Sequence, residues 1–325
     1  PALRIYRVGF VLPDRLSFEF CFRTRKIMEG TITTIQRMSV HDGAGIRSTL
    51  FLKGCGMRCR WCHNPETWSG GVQLQQTAGR CIGCGSCLEA CPSSALSLTA
   101  EGIRIDRRSC TVCGDCVGAC PSGALSLVGE RIEARETLRR VARDLPFFRQ
   151  TGGGVTVSGG EPLLQPEFVA EFFALCREAG IATAVESNLL AEWKCVERLL
   201  PLVDEWMCDF KIFDGALHRE MTGVGNERIR ENLGRLVGSG AKVVVRTPVV
   251  PGVNDNETEI GNICRMLLPF EERLLGYELL RFHTLGFDKF AACGMENPLA
   301  GARELSKERF ETLRSFAKSI LKITK

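Results

Sequence analysis

The sequence has no apolar run long enough to cross a membrane and no block of clustered basic residues. Its 325 residues carry a net charge of +4, and 44% of them are hydrophobic. A transmembrane helix needs about 20 consecutive apolar residues, and binding to nucleic acid requires Lys and Arg gathered on one surface. We therefore expect a soluble globular protein that binds neither a membrane nor nucleic acid.

The N-terminal stretch has no long apolar core and no small-residue cleavage site, so we expect no export signal. Seventeen cysteines in such a chain, eleven of them tightly clustered, favour metal ligation in a reducing compartment over a secreted disulfide scaffold. We expect a cytoplasmic protein. Residues 1–27 fit neither a helix nor a strand, and we expect either sequence upstream of a natural start at Met28 or a poorly ordered extension.

An internal repeat lies between residues 81 and 127. CIGCGSCLEACPSSALSL begins at Cys81 and CTVCGDCVGACPSGALSL begins at Cys110. Each has the spacing C-x2-C-x2-C-x3-C-P of bacterial ferredoxins, in which the fourth cysteine ligates the other of two [4Fe–4S] clusters. Two zinc sites are the weaker alternative, because zinc usually takes paired knuckles from separate hairpins. The predicted ligand sets are Cys81, Cys84, Cys87 and Cys120 for one cluster, and Cys110, Cys113, Cys116 and Cys91 for the other.

Outside residues 72–130 the chain alternates apolar runs with amphipathic stretches. The apolar runs predict strands at 48–53, 154–158, 181–187, 205–211, 241–250 and 274–283. The amphipathic stretches predict helices at 134–145, 166–180, 191–200, 227–240 and 304–320, and Asn256 with Glu259 resembles a capping box that opens a further helix. Repeated β/α alternation predicts an α/β fold with a parallel sheet, either open or closed into a partial barrel. In both cases the functional face is at the carboxyl ends of the strands.

Polar residues follow six consecutive predicted strands, where they would share that face. In strand order they are Cys55, Cys59 and Cys62; Gly159, Gly160 and Glu161; Glu186, Ser187 and Asn188; Asp209 and Lys211; Arg246; and His283.

Three cysteines with the spacing C-x3-C-x2-C pose a distinct problem of coordination. Three thiolates on a [4Fe–4S] cluster leave one iron without a protein ligand, and an open coordination position is typical of catalytic metal sites. The alternative is a site completed by a distant fourth cysteine. The spacing resembles the radical S-adenosylmethionine superfamily, and GGEP after the next strand supports that resemblance. In this superfamily the open iron binds the amino and carboxylate groups of S-adenosylmethionine, and reductive cleavage releases a 5′-deoxyadenosyl radical.

The resemblance can be narrowed. SVHDGAGIRSTLFLKGCGMRCRWCHNPE, VTVSGGEPLLQPEF, VVVRTPVVPGVND and LLRFHTLGFDKF are similar to segments of the glycyl radical enzyme activating enzymes, the family of pyruvate formate-lyase activase. The similarity covers about residues 29–323. It implies a partial (β/α)6 barrel over 28–71 and 131–325, with a ferredoxin-like two-cluster insert over 72–130 that pyruvate formate-lyase activase itself lacks.

The resemblance also implies roles for single residues. Cys55, Cys59 and Cys62 would hold the catalytic cluster, and Gly159 to Glu161 would bind the amino group of S-adenosylmethionine. The other implied cofactor contacts are Lys211, His283, Asn188 and the backbone at Trp61. A monovalent cation site is implied at Glu186, Ser187, Asp209 and the backbone of Met207. Asp42 would contact the glycine loop of the partner. The family more often has Asp-Thr where this chain has Glu186-Ser187.

The resemblance therefore predicts an activating enzyme that abstracts a hydrogen from a glycine Cα of a glycyl radical enzyme. The two ferredoxin clusters would relay electrons from a flavodoxin or ferredoxin, and we expect a monomer. One alternative is another radical S-adenosylmethionine enzyme with auxiliary clusters that modifies a different peptide or protein. A second is a pure electron carrier with a vestigial barrel, which would leave GGEP, Lys211 and His283 without a purpose.

Overall fold

The computed structural model describes residues 28–325, so the expectation for residues 1–27 lies outside the described part of the chain. In chain order the strands are β1 (Glu29–Ser39), β2 (Arg47–Leu52), β3 (Gln73–Gln76), β4 (Leu96–Thr99), β5 (Gly102–Ile105), β6 (Leu125–Val128), β7 (Glu130–Glu133), β8 (Gly154–Gly159), β9 (Ala182–Ser187), β10 (Glu205–Asp209), β11 (Val243–Val249) and β12 (Leu274–Arg281). The helices are α1 (Ser86–Glu89), α2 (Asp115–Gly118), α3 (Ala134–Val141), α4 (Leu145–Thr151), α5 (Pro166–Glu178), α6 (Trp193–Leu199), α7 (Gly215–Thr222), α8 (Glu227–Gly238), α9 (Glu257–Leu267), α10 (Asp288–Ala292) and α11 (Lys307–Ile320).

One eight-stranded sheet organises the chain, with strand order β12-β11-β10-β9-β8-β2-β1-β7. The six strands predicted from apolar runs pair in parallel. The α/β prediction is therefore confirmed. Two strands of this eight-stranded sheet were not predicted, β1 and β7, which pair antiparallel at one end of it. Their alternating, partly exposed sequences give only a weak apolar signal.

The two faces of this sheet differ in polarity because successive strand residues point to opposite sides. Leu50, Val157, Val185 and Val245 are fully buried and join the main core with residues of α5, α6 and α8. The other face is polar and carries Arg47, Thr49, Thr156, Ser158, Glu186 and Arg246.

The sheet curves toward its polar face. Arg246 on β11 donates to the carbonyl of His41, just after β1, at 3.0 Å. β10, β9, β8 and β2 lie between these strands, and five steps of about 4.8 Å would put them about 24 Å apart in a flat sheet. An arginine side chain cannot span that distance, so the strands enclose a partial barrel with a polar interior.

Between β2 and β7 in the chain, residues 73–128 form a small layer with two sheets of its own. β3 pairs with β6, and β4 pairs with β5, each antiparallel. α1 and α2 each follow a glycine of positive φ, Gly85 at 79° and Gly114 at 90°, and each continues a cysteine loop. The core of this layer contains Leu74, Ile103 and Leu125, and eight cysteines either belong to it or line its cavities.

Several predicted element ends differ from the structure. The helix predicted at 134–145 divides into α3 and α4 with a 3-10 turn between them. The last helix begins at Lys307, where the Ser306 hydroxyl accepts from the amide of Arg309, and not at residue 304. Asn256 does cap α9, but the Glu259 carboxylate accepts from the amides of Phe213 and Asp214 and does not close a capping box. Among the described helices, none is both long and apolar enough to cross a membrane.

A pair of glycine substitutions tests the close approach between the loop after β1 and the start of β8. A Cβ at Gly153 would lie 1.8 Å from the carbonyl oxygen of Ile46, whereas a Cβ at Gly238 on α8 meets nothing within 4 Å. We expect Gly153→Ala to lower the free energy of unfolding by about 1–3 kcal/mol or more through overpacking. Gly238→Ala should raise it by about 0.5–1 kcal/mol, because alanine favours a helix. Urea unfolding of the two variants measures both values, and equal stability would contradict the observed geometry.

Candidate active site

The loop of Cys55, Cys59 and Cys62 lies at the carboxyl end of β2. Two backbone contacts hold its middle to α7: the amide of Arg58 donates to the carbonyl of Thr222 at 2.7 Å, and the amide of Arg60 donates to that of Met221 at 3.0 Å. The loop is therefore fixed at both the sheet and a helix. The three thiols lie close to one another at the carboxyl end of β2, and their role as cluster ligands stays a prediction.

The surroundings of these thiols suit a bound metal cluster. Burial raises the pKa of Cys55 to about 11 and that of Cys59 to about 12, so both remain protonated at neutral pH without a cation. Amide groups nevertheless point at two of the sulfurs: Met57 N lies 3.4 Å from Cys55 Sγ, and Asn64 N lies 3.4 Å from Cys62 Sγ. Hydrogen bonds of this kind favour a thiolate. Metal ligation would supply the missing positive charge.

The glycines after β8 allow its backbone to touch this loop. Gly160 N donates to the Leu52 carbonyl at 2.8 Å, and Glu161 N donates to the Gly54 carbonyl at 2.7 Å. A Cβ at Gly159 would lie 2.3 Å from Leu52 N, and one at Gly160 would lie 2.1 Å from the Gly54 carbonyl oxygen. The resemblance implies that these glycines bind the cofactor, and the structure gives a second reason for them, which is the close approach of two backbones.

Glu161 is the buried carboxylate of this junction. Its oxygens accept from Leu163 N at 3.0 Å, Asn188 N at 2.8 Å and the Ser187 hydroxyl at 2.7 Å. Burial raises the pKa of Glu161 to about 7, although these three hydrogen bonds oppose the rise. Ser187 and Asn188, predicted to touch a cation and the cofactor, therefore contact Glu161 in this structure.

Lys211 and Asp209 form an ion pair at the end of β10, with Nζ and Oδ2 2.6 Å apart. Burial lowers the pKa of Lys211, but the charges of Asp209 and Cys59 outweigh burial and the net shift is upward. Lys211 is therefore a permanent positive charge near the cysteine loop.

Glu186 and Arg246 are the centre of a second charged group inside the partial barrel. Glu186 accepts from the Ser158 hydroxyl and from Arg246 Nη1, and Arg246 Nε lies 3.1 Å from Glu278 Oε2. Burial raises the pKa of Glu186, while Arg246 opposes the rise. Both carboxylates predicted to hold a monovalent cation, Glu186 and Asp209, thus face a cationic side chain of the protein itself. Sequence reasoning missed Glu278, whose only signal is a charge within an apolar strand.

His283 stacks on a neighbour from the cysteine loop. The rings of His63 and His283 lie 4.2 Å apart with an interplanar angle of 30°, and His63 Nε2 is 2.8 Å from the His283 carbonyl oxygen. Trp61 is buried in the same loop. The loop after β12 is therefore fixed to the cysteine loop, which places His283 at the predicted end of the barrel.

Asp42 lies at the opposite end of β2, inside the curved sheet. Its carboxylate accepts from the hydroxyls of Ser39 and Thr49, both at 2.6 Å, and its carbonyl accepts from Thr156 at 2.6 Å. These bonds stabilise the turn before β2. Contact with a partner's glycine loop stays a prediction.

The eight cysteines of the insert line two cavities. The amides of Ala95 and Ala124, at equivalent places in the repeat, donate to Cys91 Sγ and Cys120 Sγ, both at 3.3 Å. Within residues 28–325 no three His, Cys, Asp or Glu side chains converge closely enough to hold a single ion. The first cavity is lined by Cys91, Cys110, Cys113 and Cys116, and the second by Cys81, Cys84, Cys87 and Cys120.

Comparison with known proteins places this site in a family. The model of the Radical SAM superfamily matches residues 49–260. The (2S)-3-sulfopropanediol dehydratase activating enzyme of Klebsiella oxytoca is 40% identical over 272 residues, which cover 82% of this chain and 86% of that protein. The isethionate sulfite-lyase activating enzyme of Nitratidesulfovibrio vulgaris is 42% identical, covering 83% and 89%. The benzylsuccinate synthase activating enzyme of Thauera aromatica is 39% identical, covering 81% of each chain.

The chain therefore belongs to the radical SAM superfamily and, within it, to the activating enzymes of glycyl radical enzymes. The resemblance deduced from the sequence and the prediction of an enzyme are confirmed. Membership implies a [4Fe–4S] cluster, S-adenosylmethionine and a glycyl radical enzyme as partner.

The buried Glu161 carboxylate predicts a specific pH dependence of stability. Because its pKa is about 7 in the folded protein and near 4.5 when exposed, the folded state holds the proton that the unfolded state releases. The stability that Glu161 contributes therefore falls as pH rises from about 5 to about 7, by about 2–3 kcal/mol. Glu161→Gln should remove this slope, which denaturant unfolding without added S-adenosylmethionine would detect.

The matched control is Glu167→Gln on α5, where the carboxylate is exposed. It should keep the slope of the unsubstituted protein. An unchanged slope in Glu161→Gln would show that Glu161 ionises in the fold as it does in water.

Proposed function

We propose that this activating enzyme carries three [4Fe–4S] clusters, held by the three-cysteine loop and by the two four-cysteine cavities of the insert. The observation that carries the proposal is how eleven cysteines are grouped. Three lie together in the loop after β2, and eight line two cavities in residues 72–130, with four cysteines to each cavity. We divide the chain accordingly into a barrel over 28–71 and 131–325 and an insert over 72–130.

Cys55, Cys59 and Cys62 would hold the catalytic cluster with one open iron. Bound there, the cluster and S-adenosylmethionine supply a 5′-deoxyadenosyl radical through one-electron cleavage of the sulfonium bond. The chain's own part is to bind and orient. Gly159, Gly160 and Glu161 fix the backbone beside the cysteine loop, and Lys211 offers a positive charge to the carboxylate of the methionine moiety.

The remaining site residues would complete the cofactor pocket. His283, held by His63, closes the pocket from the loop after β12, and the backbone at Trp61 lines its adenine side. Ser187 and Asn188 keep Glu161 in place. At the cation site implied at Glu186 and Asp209, the side chains of Arg246 and Lys211 already neutralise both carboxylates.

The substrate is the glycine loop of a glycyl radical enzyme, from which a Cα hydrogen is abstracted. The polar interior that contains Asp42 and Arg246 offers backbone-binding groups to such a loop. The named relatives serve a dehydratase, a sulfite-lyase and a synthase, so the partner is proposed as a class. We propose a monomer in a reducing cytoplasm, with a flavodoxin or ferredoxin as the electron donor.

Anaerobic reconstitution tests the cluster assignment. We expect about twelve irons per chain, four for each of three clusters. Cys55→Ala, Cys59→Ala or Cys62→Ala should each leave about eight and abolish cleavage of S-adenosylmethionine, because the open cluster is lost. Cys195→Ala, a partly buried cysteine on α6, is the control and should change neither value. Cleavage retained in the three variants would refute the catalytic site, and a plateau near four irons in the unsubstituted protein would refute the insert clusters.

A second experiment tests the electron relay. Cys84 and Cys113 are the exposed members of the two insert sets. Cys84→Ala combined with Cys113→Ala should impair cleavage of S-adenosylmethionine driven by reduced flavodoxin, because both relay sites are damaged. Dithionite, which is small enough to reach the catalytic cluster directly, should restore much of it. Cleavage that stays absent with either reductant, in folded protein with its catalytic cluster, would exclude a pure relay role.

A further inference from the structure

The two cavities of the insert do not lie equally close to the catalytic loop. Gln73 pairs with Val128 at one end of the β3–β6 ladder, and Gln76 pairs with Leu125 at the other. At the first end, Lys53 Nζ donates to Gln73 Oε1 at 3.1 Å and to the Glu66 carbonyl at 2.6 Å. That end therefore adjoins the residue that precedes the cysteine loop.

The lining residues assign one cavity to each end. Leu74 and Leu127, a ladder pair next to the Lys53 contact, line the cavity of Cys91, Cys110, Cys113 and Cys116. Leu125, from the far end, lines the cavity of Cys81, Cys84, Cys87 and Cys120. Both cavities reach the surface, since Ile82 on the second is 68% exposed and Leu127 on the first is 40% exposed, so the ladder position alone distinguishes them. The first cavity is thus the inner one, and the second is the outer one.

One side chain joins the inner cavity to the segment that follows β12. Arg107, three residues before Cys110, donates through Nη1 to the Leu74 carbonyl at 3.0 Å and through Nη2 to the Cys293 carbonyl. Leu74 is a wall of the inner cavity. Cys293 ends α10, in the segment that begins with His283.

The segment that follows β12 also contacts the end of the cysteine loop. Lys289 Nζ donates to Asn64 Oδ1 and to Glu66 Oε1, both at 2.7 Å, and Phe290 packs edge-on against Trp68 at 5.6 Å. The insert, the cysteine loop and α10 therefore meet at one junction made of fixed hydrogen bonds.

We propose that Arg107 is a positioning residue that locks the inner site, formed by Cys91, Cys110, Cys113 and Cys116, against the α10 segment and the catalytic cysteine loop. The insert is then a docked body with a defined orientation, in which the inner site lies nearer the cysteine loop than the outer site does. The docked position of the insert is inferred from contacts within this chain. Only its use in electron transfer rests on the proposed function.

Hydrogen exchange of the reconstituted protein tests this proposal. Arg107→Ala removes both carbonyl contacts, so we expect about tenfold faster exchange in residues 73–76 and 288–294. Iron content should not change. Arg108→Ala, the exposed neighbour, is the matched control and should exchange like the unsubstituted protein. Flavodoxin-driven reduction of the catalytic cluster, followed by its electron paramagnetic resonance signal, should slow in Arg107→Ala only, and reduction by dithionite should not.

Two outcomes separate the docking from folding and from the cluster assignment. If Arg107→Ala loses iron, Arg107→Lys replaces it as the test, because one ammonium keeps the charge but cannot reach both carbonyls. The exchange rate in Arg107→Lys should then lie between the rates of Arg107→Ala and the unsubstituted protein. Unchanged exchange in both variants would overturn the proposal. A low iron count in the unsubstituted protein would refute the insert clusters, while the exchange result would still report on the docking.

Discussion

The backbone contact between the ends of β2 and β8 is the constraint on which the site depends. Gly160 and Glu161 donate to carbonyls of Leu52 and Gly54, so the cysteine loop and the buried carboxylate are built from neighbouring parallel strands. Side chains could be exchanged around this contact, but a Cβ at Gly160 would separate the two backbones. Because the cysteine loop and Glu161 both follow directly from this pair of strand ends, its geometry sets how precisely they are placed relative to each other.

The polar interior of the barrel requires the second set of constraints. Charged groups in a confined space are costly unless they are paired, and Arg246 meets this requirement by facing Glu186 and Glu278. Its contact with the His41 carbonyl also joins strands that are far apart in the sheet. The same guanidinium therefore balances charge and maintains the curvature that makes a barrel from an open sheet.

Much of this structure could be predicted from local sequence patterns. The apolar runs located six strands. The four cysteines of each ligand set predicted from the ferredoxin spacing line one cavity, with Cys91 and Cys120 exchanged between repeats, and cluster binding there stays a prediction. Spacing can predict such sets because three ligands of a ferredoxin cluster come from one short loop and the fourth comes from the other repeat. Contacts between distant segments leave no local pattern. Arg107 and Cys293 are 186 residues apart, and nothing near either one predicts their contact. β1 was missed because its residues are mostly polar and the alternation of buried and exposed positions is weak.

The pairing of Gln73 with Val128 has a consequence for how the chain folds. β2 and β8 are neighbours in the sheet, yet about 100 residues separate them, and joining distant segments slows folding because loop closure costs entropy. Once the ladder of β3 and β6 has formed, the two ends of the insert are side by side, and the connection behaves as a much shorter loop. Early folding of the insert would therefore accelerate barrel formation. Because the two ends of the insert lie side by side, the whole segment could be gained or lost in evolution without separating β2 from β8.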